Sequence, residues 1–415
     1  MEKTALRPLT PDRIGSAVRD ALAGTRVVDI HTHLFDPALG PLLLWGIDEL
    51  LTYHYLVAEV FRARPDLAYE TFWAMDKTRQ ADLIWTELFR KRSPISEACR
   101  GVLTVLQKLG LDANVDQLKS IRGFFRGQTV TGYVDRVFAL AGVDRVYMTN
   151  DPLDPQEALA WQRGVQRDPR FLAALRLDSS LIGWPAGVRL LKAAGYPVTK
   201  APTKQTMAAV RRYLNDWCDR MDARYMAISL PPSFRYPDPD SATTQLMAQA
   251  VIPTARDRGI PVAMMLGVKK LVNPALRLAG DSVGKCDIGT LERIAADHAD
   301  VRFLITMLSR ENMHELCITA RKFANITPFG CWWFLNNPSL IEEITAMRVE
   351  TLGLSFIPQH SDARILDQLV YKWTHSRAVI GDVLARKYAD LTATGWHVTP
   401  DAIRRDVRLL FAGAV

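Results

Sequence analysis

With 415 residues, 48% of them hydrophobic and 23% charged, the chain has enough apolar material for a large core enclosing a dry pocket, which excludes a disordered or low-complexity polypeptide. The formal net charge of +7 comes from Lys and Arg scattered among Asp and Glu rather than from a basic run, so a phosphate-backbone tracker is excluded while a small anionic ligand is favoured. Five cysteines (Cys99, Cys218, Cys286, Cys317 and Cys331), odd in number and widely spaced, argue against a disulfide framework and against a Cys-rich zinc site, and they suit a reducing compartment.

In chain order, the amino-terminal stretch 1–15 lacks an apolar signal core. The most apolar segment, 41–60, is broken by Asp48, Glu49, His54 and Glu59, so no membrane span is expected and a cytoplasmic location is the default. The first β-rich run is 26–33, RVVDIHTH. About 110 residues follow, 34–143, rich in Leu, Ala, Arg and Trp and reading as several helices. Further runs lie at 144–149 (DRVYMT), 171–177 (FLAALRL), 225–230 (YMAISL), 260–266 (IPVAMML), 302–307 (RFLITM), 324–329 (ANITPF) and 352–357 (LGLSFI). Most are continuous apolar runs, as strands buried on both faces require. Helical stretches such as 243–257 and 290–298 separate them, and helices from about residue 378 close the chain. Eight such runs alternating with helices predict an α/β protein, a (β/α)8 TIM-type barrel. Residues 1–33 and 144–415 form the barrel on this reading, and 34–143 is an α-helical insertion after strand 1 that covers the active site.

The active site of such a barrel is built at the carboxyl ends of its strands. The first run ends in His31-Thr32-His33, where residues i and i+2 present two imidazoles to one ion. Asp362 follows the eighth run, and strands one and eight are neighbours in a closed barrel, so Asp362 completes a His31, His33, Asp362 metal set. Arg176 and Asp178 end the third run, Arg310 follows the sixth, Trp332, Trp333 and Phe334 follow the seventh, and Arg364 follows Asp362. Taken alone, His54 and Tyr55 read as a core histidine and an amphipathic tyrosine, and His298, His314 and His397 as helix-surface residues.

These segments resemble the uronate isomerase (glucuronate isomerase) family, a divergent branch of the metal-dependent amidohydrolase superfamily. The resemblance runs through DIHTHLFDP (29–37), TYHYLVAEV (52–60), TNDPLD (149–154, with Asn150 where the family has an acid), LRLD (175–178), WWF (332–334) and SDAR (361–364), in family order from about residue 26 to 390. It implies isomerisation of an aldose-type uronate to its keto form, such as D-glucuronate to D-fructuronate or D-galacturonate to D-tagaturonate. Carried over, it implies one divalent ion on His31, His33 and Asp362, with zinc the first expectation and manganese or iron also acceptable to a His2Asp set. It places His54, Tyr55, Arg176 and Arg364 around the sugar. Trp333, Lys269 and Arg310, which follow strand ends, are further candidate substrate contacts. Removing the C2 proton needs a base and stabilisation of the enediolate. Asp362, or a water it activates, is the candidate base, Tyr55 the group that moves protons between oxygens, and Arg364 a catalytic neighbour. Arginine also suits a carboxylate substrate through its bidentate grip.

The fifth run departs from the family, ending Met264-Met265-Leu266-Gly267 where a histidine is usual, and no His follows the fourth or sixth run. The fourth ends Ser229-Leu230-Pro231-Pro232, without a bridging Lys or an acid, which argues against a two-metal hydrolase. Lys269 and Lys270 after the fifth run could meet a substrate anion. Two rival readings remain: a mononuclear hydrolase or decarboxylase of a small carboxylate, and a barrel that binds a sugar acid without turnover. Partners on either reading are a small anionic sugar acid, no nucleic acid and no membrane, with a helical exterior that permits a homo-oligomer.

Overall fold

The computed structural model describes residues 8–164 and 167–413. Residues 1–7 of the amino-terminal stretch lie outside it. Seven parallel strands pair in chain order: β1 (Val27–Thr32), β2 (Val143–Asn150), β3 (Phe171–Arg176), β4 (Met226–Leu230), β5 (Val262–Leu266), β6 (Phe303–Met307) and β7 (Ile326–Pro328). Met226, Val262, Phe303 and Ile326 stand in one row across β4 to β7. Both faces are buried, which explains the lack of polar alternation in the runs. Ile30, Tyr147, Ala174, Ala227, Met265, Leu304 and Phe329 fill the barrel interior. Alternate residues such as Val146, Phe171, Ile228, Val262 and Phe303 join the larger core under the surrounding helices.

The eighth strand is a correction. Leu352 is the last residue of the helix Pro338–Leu352, and Gly353, at φ 62°, ends it. Pro358 has no N–H to give a ladder, so 352–357 cannot continue as a strand. Only Ile357 pairs, with Phe329. Beyond it the chain runs irregularly beside β1, where Asp362 N–H donates to His31 O at 3.1 Å and His33 N–H donates to Ala363 O at 2.7 Å. The TIM-type barrel is closed by this segment.

Residues 34–143 carry the helices Ile47–Leu51, His54–Ala63, Tyr69–Trp73, Lys77–Trp85, Glu97–Leu109, Lys119–Arg126 and Val130–Ala141. The last long helix, Gln368–Ala393, begins about ten residues before the expected tail. It packs on Pro11–Ala23 and Pro338–Leu352 on one side and on Glu97–Leu109 and Val130–Ala141 on the other. All five cysteines are buried and free. No described helix is long and apolar enough to cross a membrane.

Candidate active site

Ile30 and His31 are adjacent in sequence, yet both reach the barrel interior: Ile30 belongs to the inner cluster and His31 packs edge-on against Phe329. In a regular strand, neighbours point to opposite faces. The conflict is resolved by a register shift against β2 between Asp29 and Thr32, which re-aims the imidazole. His31 Nε2 and His33 Nε2 then lie 3.5 and 3.3 Å from Asp362 Oδ1. Asp362 holds its carboxylate there from a left-handed backbone, φ 52°, a conformation that costs a non-glycine residue about 1 kcal/mol or more. Such strain persists only where the surroundings over-determine it.

Second contacts fix the ring orientations. Thr149 Oγ1 donates to Thr32 O at 2.8 Å, so toward His33 Nδ1, 2.9 Å away, it acts as acceptor and leaves the proton on Nδ1. Tyr225 OH likewise donates to Ile30 O at 2.6 Å and lies 3.5 Å from His31 Nδ1. Both Nε2 lone pairs therefore face Asp362. Burial, with the charges of Arg176 and His31 adding to it, lowers the His33 pKa to about 4 against the pull of Asp362, so this imidazole is neutral at working pH. Burial works against the Asp362 carboxylate, but the neighbouring His31 and His33 rings hold its pKa well below the usual range, and it is charged. His31 Nε2 and Asp362 Oδ1 have no hydrogen-bond partner although both are buried. Among the described residues, His31, His33 and Asp362 form a group whose ligand atoms lie within 4.8 Å of one another, able to hold a metal ion. Facing acceptors of this kind require a cation between them, so the donor set fits a single divalent ion.

Around this centre the structure gathers most, but not all, of the predicted residues. The helix His54–Ala63 presents His54 and Tyr55, with the Tyr53 ring tilted against that of His54 at 4.0 Å between centroids. Burial lowers the His54 pKa to about 3 and raises the Tyr55 hydroxyl well above its ordinary value, so both are neutral. His54 Nε2 and Tyr55 OH are buried without a partner. Trp333 packs on His54 at 5.4 Å. His54 stands between two cavities. One, about 340 Å³, is lined by Tyr53, Lys77, Arg277 and Arg364; the other, about 300 Å³, by Tyr55, Trp333, Asn336 and Tyr371. Arg176 is braced by Asp178 at 2.7 Å, and Asp178 accepts the Ser229 N–H, which ties the ends of β3 and β4 together.

Two expected substrate contacts, Lys269 and Arg310, line neither cavity beside His54. Lys269 is exposed on a two-residue antiparallel ribbon with Ser282–Val283; its neighbour Lys270 is the lysine that approaches, 2.8 Å from buried Asp281 and 5.8 Å from the Trp333 ring centroid. Arg310 is exposed and paired with Glu343 at 3.0 Å.

The chain's whole length superimposes on solved isomerases. A uronate isomerase from Bacillus halodurans C-125 is 51% identical to it, with a TM-score of 0.95 over 98% of this chain and 96% of that one. The chain belongs to the uronate isomerase family. A uronate isomerase from Thermotoga maritima (14% identical, TM-score 0.76, covering 97% of this chain and 96% of that one) and a glucuronate isomerase from Caulobacter crescentus (14%, 0.77, 99% and 95%) share the fold. No family model and no curated protein matches.

In this uronate isomerase family member the fifth strand contributes Met265 to the inner core and no described ligand to the metal set. Several residues that shape the site carry no signal of their own in sequence. Thr149 and Tyr225 read as parts of strands, Asp29 as part of a motif, and His360 as a neighbour of Asp362. Asp29 accepts from Ser361 N–H at 3.0 Å and from Trp373 Nε1 at 2.8 Å, joining β1, the closing segment and the long helix. The His360 ring lies 5.1 Å from that of His31, and a side chain at Gly330, φ 66°, would collide with it at 1.9 Å.

Proposed function

We propose that this chain interconverts an aldose-type uronate and its keto form, D-glucuronate with D-fructuronate or D-galacturonate with D-tagaturonate. The observation that carries the reading is the His31, His33, Asp362 set, beside Tyr55, Arg176 and Arg364, in a chain 51% identical to a uronate isomerase. We assign the metal to these three residues as zinc; when bound it supplies a positive charge beside the sugar oxygens, lowering the cost of the enediolate.

The protein's own groups do the rest. Asp362, charged, takes the C2 proton directly or through a water it orients. Tyr55, kept as a neutral phenol by burial, passes a proton to the aldehyde oxygen as C2 loses its own. Return of the proton from Asp362 to C1, with the C2 hydroxyl proton passing to the Tyr55 phenolate, completes the ketose and restores both groups. Arg364, which is exposed, and Arg176 grip the substrate carboxylate. We propose that the helices of 34–143, with Trp333, cover the site and exclude water. Five buried thiols support a reducing compartment, and we place the enzyme in the cytoplasm.

The test is a panel of uronates incubated with metal-loaded protein, following ketose formation. Asp362→Asn is expected to lose about 10³-fold or more in turnover. Metal-loaded wild type that converts no uronate would overturn the reading.

A further inference from the structure

The peptide joining Ser361 to Asp362 sets the direction of the Asp362 carboxylate, and both of its polar ends are pinned. Its N–H donates to His31 O at 3.1 Å. Its carbonyl, Ser361 O, accepts from Lys372 Nζ at 2.6 Å and from Asn336 Nδ2 at 3.1 Å. Lys372 is 3% exposed, a rare position for an ammonium group. No described carboxylate pairs with it, and its nitrogen lies 5.6 Å from the centroid of the Tyr55 ring. It stands on the long helix Gln368–Ala393, beside Trp373, which holds Asp29.

A buried charge is retained against its desolvation cost when it does something a neutral residue cannot. Here one lysine hydrogen-bonds the turn that bears a metal ligand and faces, at 5.6 Å, the ring that bears the candidate proton-transfer hydroxyl. A hydrogen bond from a cation to a carbonyl oxygen is stronger than one from a neutral donor. At Ser361 it locks the peptide plane and with it the left-handed Asp362, φ 52°. We propose that Lys372 is a positioning residue. It holds the Ser361–Asp362 peptide in the orientation that aims the carboxylate at His31 and His33, and it fixes the Tyr55 ring against that same turn. The part concerning Tyr55 rests on the isomerase reading above; the part concerning the metal set does not.

The decisive measurement is zinc affinity, by titrating metal-stripped full-length protein against a chromophoric chelator, with no sugar present. Lys372→Met is expected to weaken zinc binding about 10- to 100-fold, the usual scale for losing an outer-shell partner. At saturating zinc, its kcat for a uronate is expected to fall about tenfold or more while KM moves less than about threefold. Leu384→Ala, a buried change on the same helix away from the turn, should lower the melting temperature and leave zinc affinity alone. Should Lys372→Met fail to fold, Asn336→Ala removes the second donor to the same carbonyl and should weaken zinc in the same direction. Zinc affinity within about twofold of wild type in every folded variant overturns the proposal, as does an equal loss in Leu384→Ala. Wild type that binds zinc but converts no uronate would sink the isomerase reading and leave the zinc arm standing.

Discussion

Thr149 illustrates how a residue without chemistry of its own can govern a metal site. Its hydroxyl, anchored on Thr32 O, is the acceptor that keeps the His33 proton on Nδ1. Thr149→Val keeps the shape and removes the acceptor, so zinc affinity should drop about 10- to 100-fold with little change in melting temperature, measurable by chelator competition. Glu157 shows a different residue-scale effect. Burial, opposed by hydrogen bonds from Asp151 N–H and Asn150 Nδ2, raises its pKa to about 7. The folded state thus holds this proton more tightly than the unfolded chain, whose ordinary value is 4.5. The stabilisation is complete below pH 4.5 and is lost as pH rises through about 7. Glu157→Gln should lessen that decline and raise stability at pH 8 by on the order of 2 kcal/mol, read from urea unfolding at pH 5 and 8. The three residues of the candidate metal set are legible in sequence, because histidines two apart at a strand end and an acid after the last run are visible as letters. Their hydroxyl supports are not, since Thr and Tyr are ordinary strand residues until a fold brings Thr149 to His33 and Tyr225 to His31.

At the scale of elements, the long helix Gln368–Ala393 is the brace of the molecule. Lys372 and Trp373 hold the closing segment and β1, while His375 contacts Thr104 at 2.8 Å in the helix Glu97–Leu109. Asp367, just before the helix, accepts from Tyr133 OH at 2.5 Å and from Gly46 N–H at 2.8 Å, tying the start of the insertion to the barrel. Asp367→Ala leaves both donors buried without a partner, at about 1–3 kcal/mol each, so differential scanning calorimetry should show melting several degrees lower. Seven strands are readable as apolar runs because strands buried on both faces need little else. The eighth run misleads because LGLSFI, apolar enough for a strand, holds the last helical residue and an irregular turn, and only Ile357 pairs, with Phe329. The start of the long helix is hidden for a related reason: its first turns are buried on several sides, so no polar stripe marks them.

Taken as a whole molecule, the His31, His33, Asp362 set draws its members from both ends of the chain, so a metal bound there is expected to stabilise the fold. His31 and His33 lie near its start and Asp362 near its end, and they meet only in the folded state. Stripping the metal should lower the melting temperature, saturating zinc should restore it, and His31→Ala should abolish the response; a differential scanning series with chelator and zinc measures all three. A reductant should leave the melting temperature unchanged, since every cysteine is free. Local pattern is enough to specify the barrel, the long helical insertion after β1 and the set of two histidines and one aspartate, because repeated apolar runs and clustered ligands are written in neighbouring residues. Folding alone settles how the barrel closes without a true eighth strand and which buried hydroxyls and ammonium aim the ligands. Those are contacts between residues far apart in the chain, and no local pattern encodes a partner that arrives from a hundred or more residues away, as Tyr225 does for His31 and Lys372 for Tyr55.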